Sequence, residues 1–243
     1  MLYGQYRNAT FPRNDPMSAL KIVHFSDVLC VWAYIGQASH FKLLEKFDDM
    51  IDVEEHFCSV FPDTQTKIIN AWRDREGFDG YADHVKTAAS SFDNVIIHDD
   101  VWSKVQPKSS ASPHLFIKAI ELLEHEAPEG KFFDRLSNRA AKELRSAFFA
   151  EAQDISDWAV QRAISEKIGV AFDEVLKKIE TGEAIAKLTA DYELAQSLRV
   201  QGSPTYILSE GRQMLFGNIS YNILEANVAE LLSEKSNEIG SDC

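Results

Sequence analysis

Cysteine is scarce in this chain: three residues in 243, at positions 30, 58 and 243. So odd and sparse a set is no disulfide framework and fits a reducing compartment. Basic charge is also in short supply. Lys and Arg number 25 against 38 Asp and Glu, a formal net charge of -13, and basic pairs such as Lys177-Lys178 sit among acids. Such a surface repels phosphate backbones and anionic lipid, so neither nucleic acid nor a membrane is an expected partner. No segment reaches the roughly 18 consecutive apolar residues of a membrane helix. The first twenty residues contain two prolines and lack the apolar centre of a secretory signal, which makes a cytoplasmic location the expectation. A Gly-rich phosphate loop, a His-Glu-x-x-His pair and a paired-cysteine zinc pattern are all missing, and no metal site is expected. The seven histidines, at 24, 40, 56, 84, 98, 114 and 125, are scattered.

What is present is ample core material, 45% hydrophobic residues, arranged in two patterns. Residues 1–19 read as an irregular arm. Lys21 to Phe25 form a short apolar strand candidate ended by Ser26-Asp27. Tyr34, Ala38, Phe41 and Leu44 recur at helical spacing, which predicts a helix over 31–47. Ile51, Val53 and Phe57 mark a second strand. From 63 to 198 the periodicity is helical throughout: weakly around Ile68-Ile69 and Tyr81, then from Pro113 to a stop at Pro128-Glu129-Gly130. Further helices are expected over 131–151, from a cap at Asp154-Ile155-Ser156-Asp157 to Gly169, and over 171–179 and 183–198. Strands return at Pro204–Leu208 and Gln213–Phe216, separated by Glu210-Gly211 as a hairpin turn. A last helix is expected over 221–234 and a frayed tail over 236–243. The fold class is therefore α/β: a small sheet between helices, residues 20–62 and 199–235, interrupted by an all-helical insertion, residues 63–198.

Cys30 falls between a strand end and a helix start. The unpaired first-turn amides and the positive end of the helix dipole both favour thiolate over thiol. A thiol in that setting is expected to be exposed and to ionise well below the ordinary thiol range of about 8.5. The alternative is a buried, inert cysteine, a common state for this residue type.

The run Asp27-Val28-Leu29-Cys30-Val31-Trp32-Ala33-Tyr34-Ile35-Gly36 resembles the opening of the DsbA-like thioredoxin family, especially its FrnE-like branch, which carries Asp-x-x-Cys-Pro-Trp-Cys-Tyr-x-Gly. Gly202-Ser203-Pro204-Thr205-Tyr206 is similar to the family's Gly-x-Pro segment. Leu144 to Phe149, followed by Asp154-Ile155-Ser156-Asp157, resembles its helical insertion. The resemblance spans nearly the whole chain. It implies a thioredoxin-like fold with a large helical insertion, Cys30 as the catalytic thiol, and a cis Pro204 facing it. Val31, Trp32, Ala33, Ser203 and Pro204 become the supporting residues, and Trp32, Ser203 and Pro204 the cosubstrate contacts.

Two residues depart from the family pattern. Val31 replaces its proline, and Ala33 replaces the resolving cysteine, so a mixed disulfide at Cys30 cannot be released by the usual internal attack. The leading expectation is a monothiol thiol-disulfide oxidoreductase or isomerase, with an external thiol such as glutathione completing the exchange. The alternatives are a glutathione-dependent transferase or isomerase, resembling the kappa-class transferases and 2-hydroxychromene-2-carboxylate isomerases, and a catalytically decayed binding or chaperone-like protein. No tightly bound cofactor is expected. Glutathione, or a protein or small-molecule thiol substrate, is the expected partner, and exposed apolar surface on the insertion would make a homodimer reasonable. Cys58 reads as buried packing and Cys243 as a tail thiol. His24 reads as structural, Tyr34 as core, and Asp27 as a neighbour whose charge opposes the thiolate. Lys104, Lys108 and Arg145 are candidate contacts for a glutathione carboxylate.

Overall fold

The computed structural model describes residues 19–124 and 131–241, with side chains to residue 234. The arm before residue 19, the expected helix stop at Pro128-Glu129-Gly130, and Cys243 lie outside the described residues.

A short, mostly apolar run that is buried at six of seven positions makes Leu20–Ser26 a strand, β1, covered on both faces. It runs through a tight turn into helix α1, Val31–Phe47, and then into strand β2, Ile51–Phe57. The chain returns to the sheet at β3, Thr205–Leu208, and β4, Gln213–Phe216, before helix α9, Tyr221–Ser241, which continues past the expected end at 234. The sheet order is β2-β1-β3-β4. β2 runs parallel to β1, while β3 lies antiparallel to both β1 and β4. Strand period two assigns the faces. Leu20, Ile22, Ile51, Val53 and Leu208 pack with Leu43, Leu44 and Phe47 of α1 and Leu224, Val228 and Leu231 of α9. Val23, Phe25 and Ile207 point the other way, onto Cys58 and Ala195.

Between β2 and β3 lie α2 (Thr64–Trp72), α3 (Phe78–Ala89), α4 (Ala111–Glu124), α5 (Leu136–Phe149), α6 (Trp158–Ile168), α7 (Phe172–Glu180) and α8 (Glu183–Ser197). Both weakly signalled segments, at Ile68-Ile69 and Tyr81, are helical. The helix expected from 131 starts only at Leu136. Glu124 of α4 explains this: its carboxylate accepts from the Leu136 N–H and from Ser137 Oγ, at 2.6 Å for the latter, and so caps the helix from another element. Asp157 caps α6 through the Ala159 N–H, and Gly169 ends it with φ 83°, a left-handed conformation that glycine adopts without strain.

The insertion is fastened to the sheet rather than tethered beside it. α4 packs on α5, α7 and α8, and α8 packs on β2. Buried Lys118 of α4 meets Asp191 of α8 at 2.7 Å, and Asp191 also accepts from the Phe57 N–H at 2.8 Å and from His56 Nδ1 at 2.7 Å. Asp191 and Glu54 together lift the His56 pKa from 6.5 to about 9, against burial, the largest single influence, and the Lys118 charge, which both lower it. A folded-state pKa above the unfolded value adds stability that is complete below pH 6.5 and lost as pH rises through 9. Chemical denaturation should therefore show stability falling across that window, with a flatter slope in His56→Gln. An unchanged slope in the variant would remove His56 from the account.

Candidate active site

Cys30 is the N-cap residue of α1, with extended backbone and no side-chain bond capping the helix. Its Sγ donates instead across the site to the Ser203 carbonyl, 3.2 Å away. The Ser203–Pro204 peptide is cis, as the resemblance implies. Asp27 holds the turn together. It is fully buried: Oδ1 accepts from the Leu29 N–H at 2.9 Å, and Oδ2 from the Val60 and Phe61 N–H groups, each at 3.0 Å, and from Ser110 Oγ at 2.7 Å. Its own N–H donates to Ser203 Oγ at 2.8 Å. One carboxylate thus ties the end of β1 to the chain after β2 and to the start of α4, while its amide ties it to the cis-proline segment. Sequence reasoning considers Asp27 only as a charge near the thiol. The organising role depends on partners 33, 34 and 83 residues away.

His114 completes the surroundings. It stacks on Phe57 with ring centroids 4.1 Å apart. Its Nε2 accepts from the Val28 N–H at 3.2 Å, which leaves the proton on Nδ1, facing the Tyr192 hydroxyl at 3.1 Å. Burial, outweighing Asp27, pulls its pKa down to about 4, so the ring is neutral at pH 7.

The expectation of an exposed, readily ionised thiol is overturned. Cys30 is only 6% exposed, and burial pushes its thiol above the ordinary range. The Ser203 side chain and the Ala33 and Trp32 amides oppose the shift, the Asp27 charge adds to it, and burial wins. The physical reason is the insertion. Cys30, Val31 and Ala33 belong to one apolar cluster with Phe61, Trp102, Phe148 and Phe149, so the helix start that should favour a thiolate has been roofed over. Trp32 stands at the rim, 36% exposed, while Ser203 and Pro204 are buried. Tyr34 stacks on Phe149 at 4.7 Å. Cys58 is buried, and burial pushes its thiol up as well. Lys104 is exposed and paired with Asp100, and Lys108 is exposed. Arg145, by contrast, is buried, and its guanidinium donates to Ser26 Oγ at 2.8 Å.

The sequence pattern of the DSBA-like thioredoxin domain family matches residues 132–229, from the insertion through the cis-proline segment into α9. The chain has the DsbA-like thioredoxin fold. The match does not include the Cys30 turn, whose placement rests on the geometry above. The cytosolic disulfide reductase DsbM from Pseudomonas aeruginosa superposes with a TM-score of 0.60 at 17% identity, covering 90% of this chain and 98% of that one. It has also been solved with glutathione. A 2-hydroxychromene-2-carboxylate isomerase gives 0.62 at 14%, with 89% and 98% covered. The thiol-disulfide exchange protein α-DsbA2 from Wolbachia pipientis gives 0.56 at 15%, with 92% and 88% covered. At these identities the likeness is one of fold. No curated protein matches the sequence. Among the described residues, no helix of this DsbA-like chain is long and apolar enough to cross a membrane.

One group of described residues has metal-ligand composition: His24, His40 and Glu55, with ligand atoms within 4.8 Å of one another. The imidazoles are stacked, centroids 4.5 Å apart and planes 23° from parallel. Imidazole binds a metal ion in the plane of its ring, and stacked rings direct those lone pairs side by side rather than toward a shared point. The three residues do not fit a metal ion.

Proposed function

We propose that this DsbA-like protein is a monothiol disulfide reductase in which Cys30 is the only nucleophile and glutathione the external thiol that releases it. The observation that carries this reading is the Cys30 Sγ donating to the Ser203 carbonyl at the N-terminus of α1. When the thiol ionises, that carbonyl loses its donor and becomes free to accept from the backbone of a bound peptide or of glutathione, as an added strand would. The glutathione complex of DsbM supports the choice of thiol.

The exchange runs in two steps. The Cys30 thiolate attacks one sulfur of a substrate disulfide RSSR′, forming a Cys30–SR mixed disulfide and expelling R′S⁻. A glutathione thiolate then attacks the R sulfur, forming GSSR and returning the Cys30 thiolate. The net reaction, RSSR′ + GS⁻ → GSSR + R′S⁻, returns Cys30 unchanged, so the supply of reduced glutathione sets its direction and the raised thiol pKa slows the attack at neutral pH. A cycle fed by reduced glutathione belongs in a reducing compartment, which is the basis for the cytoplasmic assignment.

A thiol ionising above neutrality should give a first step that speeds up about tenfold per pH unit between roughly pH 6 and 8. Stopped-flow measurement with a small disulfide reads this directly. A pH-independent rate would indicate a thiol already ionised and would contradict the raised pKa. No exchange at any pH would leave the cleft as a binding surface.

A further inference from the structure

Ionisable side chains share one row of the sheet face that packs against α1 and α9. His24 of β1 lies directly opposite Glu55 of β2 and Tyr206 of β3, one step beyond the apolar row Ile22, Val53 and Leu208. Above this row α1 contributes Gln37 and His40 and α5 contributes Asn138 and Arg145, so five elements bring polar side chains to one cavity that is partly open to solvent. Its free volume is only about 30 Å³, which admits a small group and nothing bulky. Ala33 and Pro204 form one wall, Phe41 and Phe132 another.

The polar atoms are incompletely satisfied. His24 Nδ1 sits 3.0 and 2.9 Å from the two Glu55 oxygens, and the carboxyl pKa is held well below its usual range by the two histidines, against burial. An ionised carboxylate only accepts, so His24 Nδ1 carries a proton. His40 Nε2 is 3.1 Å from the same carboxylate without hydrogen-bond alignment, and its Nδ1 meets the Tyr206 hydroxyl at 3.2 Å. His24 Nε2 and Arg145 Nε are buried and have no partner, and both residues line the cavity. Arg145 is 7% exposed and has no ion pair among the described residues, so Glu55 acts on it only at longer range. Gln37, with its side-chain oxygen also buried and unpartnered, can turn its amide N–H toward the same space. Buried donors without partners are rare, and a guanidinium facing a cavity without a counterion is costly.

We propose that this cavity binds the carboxylate of a small organic acid, held by the Arg145 guanidinium with the His24 imidazole beside it. The buried guanidinium, with an unpartnered Nε and no ion pair among the described residues, favours an anion. The apolar walls suit a planar carboxylate with a short organic stem better than a phosphate dianion.

The inference does not rest on thiol chemistry and is tested in Cys30→Ser, where no mixed disulfide can form. Sodium formate is titrated into [15N]histidine-labelled protein at about pH 7, with sodium chloride at equal ionic strength as control. The expected result is a saturable shift of the His24 and His40 imidazole resonances with formate alone. Affinity should fall at least about tenfold in Arg145→Lys. Should that variant misfold, the titration of the protein with Arg145 intact still decides. No saturable shift, or an equal response to chloride, overturns the proposal. Competition then identifies the source of the carboxylate. Displacement of formate by glutathione but not by its diethyl ester assigns it to the thiol cosubstrate, and formate binding without competition assigns it to a separate acid. Either outcome supports the site.

Discussion

Cys30→Ser is expected to abolish protein-catalysed, glutathione-dependent reduction of bis(2-hydroxyethyl) disulfide, a loss of about a hundredfold or more over the rate without protein, because no other protein group in the proposed cycle attacks sulfur. Cys58 cannot substitute for it. Its thiol is buried, and burial pushes its pKa up. The companion change, Ala33→Cys, tests the missing second thiol. Ala33 is buried within the first turn of α1, three residues after Cys30, the spacing at which the family places its resolving cysteine. Restoring that thiol allows internal attack on the mixed disulfide, in which Cys30 and the introduced thiol are oxidised to a disulfide and the substrate thiolate is expelled. The first turnover should then proceed without glutathione, whereas the native protein should stop at the mixed disulfide. Residual activity of Cys30→Ser near the native level would remove Cys30 from the mechanism. An unchanged glutathione requirement in the Ala33→Cys protein would show that Ala33 is not what makes the cycle depend on an external thiol.

The second large effect falls on Asp27. Asp27→Asn keeps the size of the side chain but leaves one carbonyl oxygen where two oxygens accept four hydrogen bonds. Its new amide group must face either the Leu29 N–H or the Val60 and Phe61 N–H groups, and of these Val60 also reaches the Cys58 carbonyl at 3.1 Å. Leaving buried amides unpaired costs about 1–3 kcal/mol each, so a loss of roughly 3–5 kcal/mol is expected, visible as a large drop in the urea midpoint. Were Asp27 present only to tune the thiol, the same variant would keep its stability to within about 0.5 kcal/mol and change only the Cys30 titration. The two readouts separate a scaffold from an electrostatic role.

These two residues also show where sequence reasoning reaches its end. The strands, α1 and α9, and the insertion helices are legible because each is a local pattern: a short apolar run over Lys21–Phe25, helical spacing after Tyr34, the capping run Asp154-Ile155-Ser156-Asp157, Gly169. The position of Cys30 at a strand-to-helix junction is legible for the same reason. Its burial is not, since Trp102, Phe148 and Phe149 reach the thiol's cluster from 72 to 119 positions down the chain. The late start of α5 depends on Glu124 from the preceding helix. A signal for the polar cavity does exist. Leu20-x-Ile22-x-His24 and Ile51-x-Val53-x-Glu55 each put an ionisable residue at a core-facing position, and two such residues on adjacent strands call for partners. His24 reads as structural on its own; the pairing with Glu55 is what changes its meaning.

The central claim is that Cys30 alone accepts and releases a mixed disulfide. Oxidised glutathione added to the reduced protein, followed by intact-mass and peptide mass spectrometry, addresses it most directly. The account predicts one glutathionyl group per chain, attached to Cys30, forming faster as pH rises and removed by reduced glutathione. No adduct at Cys30, or one that resolves onto Cys58 without added thiol, would contradict it.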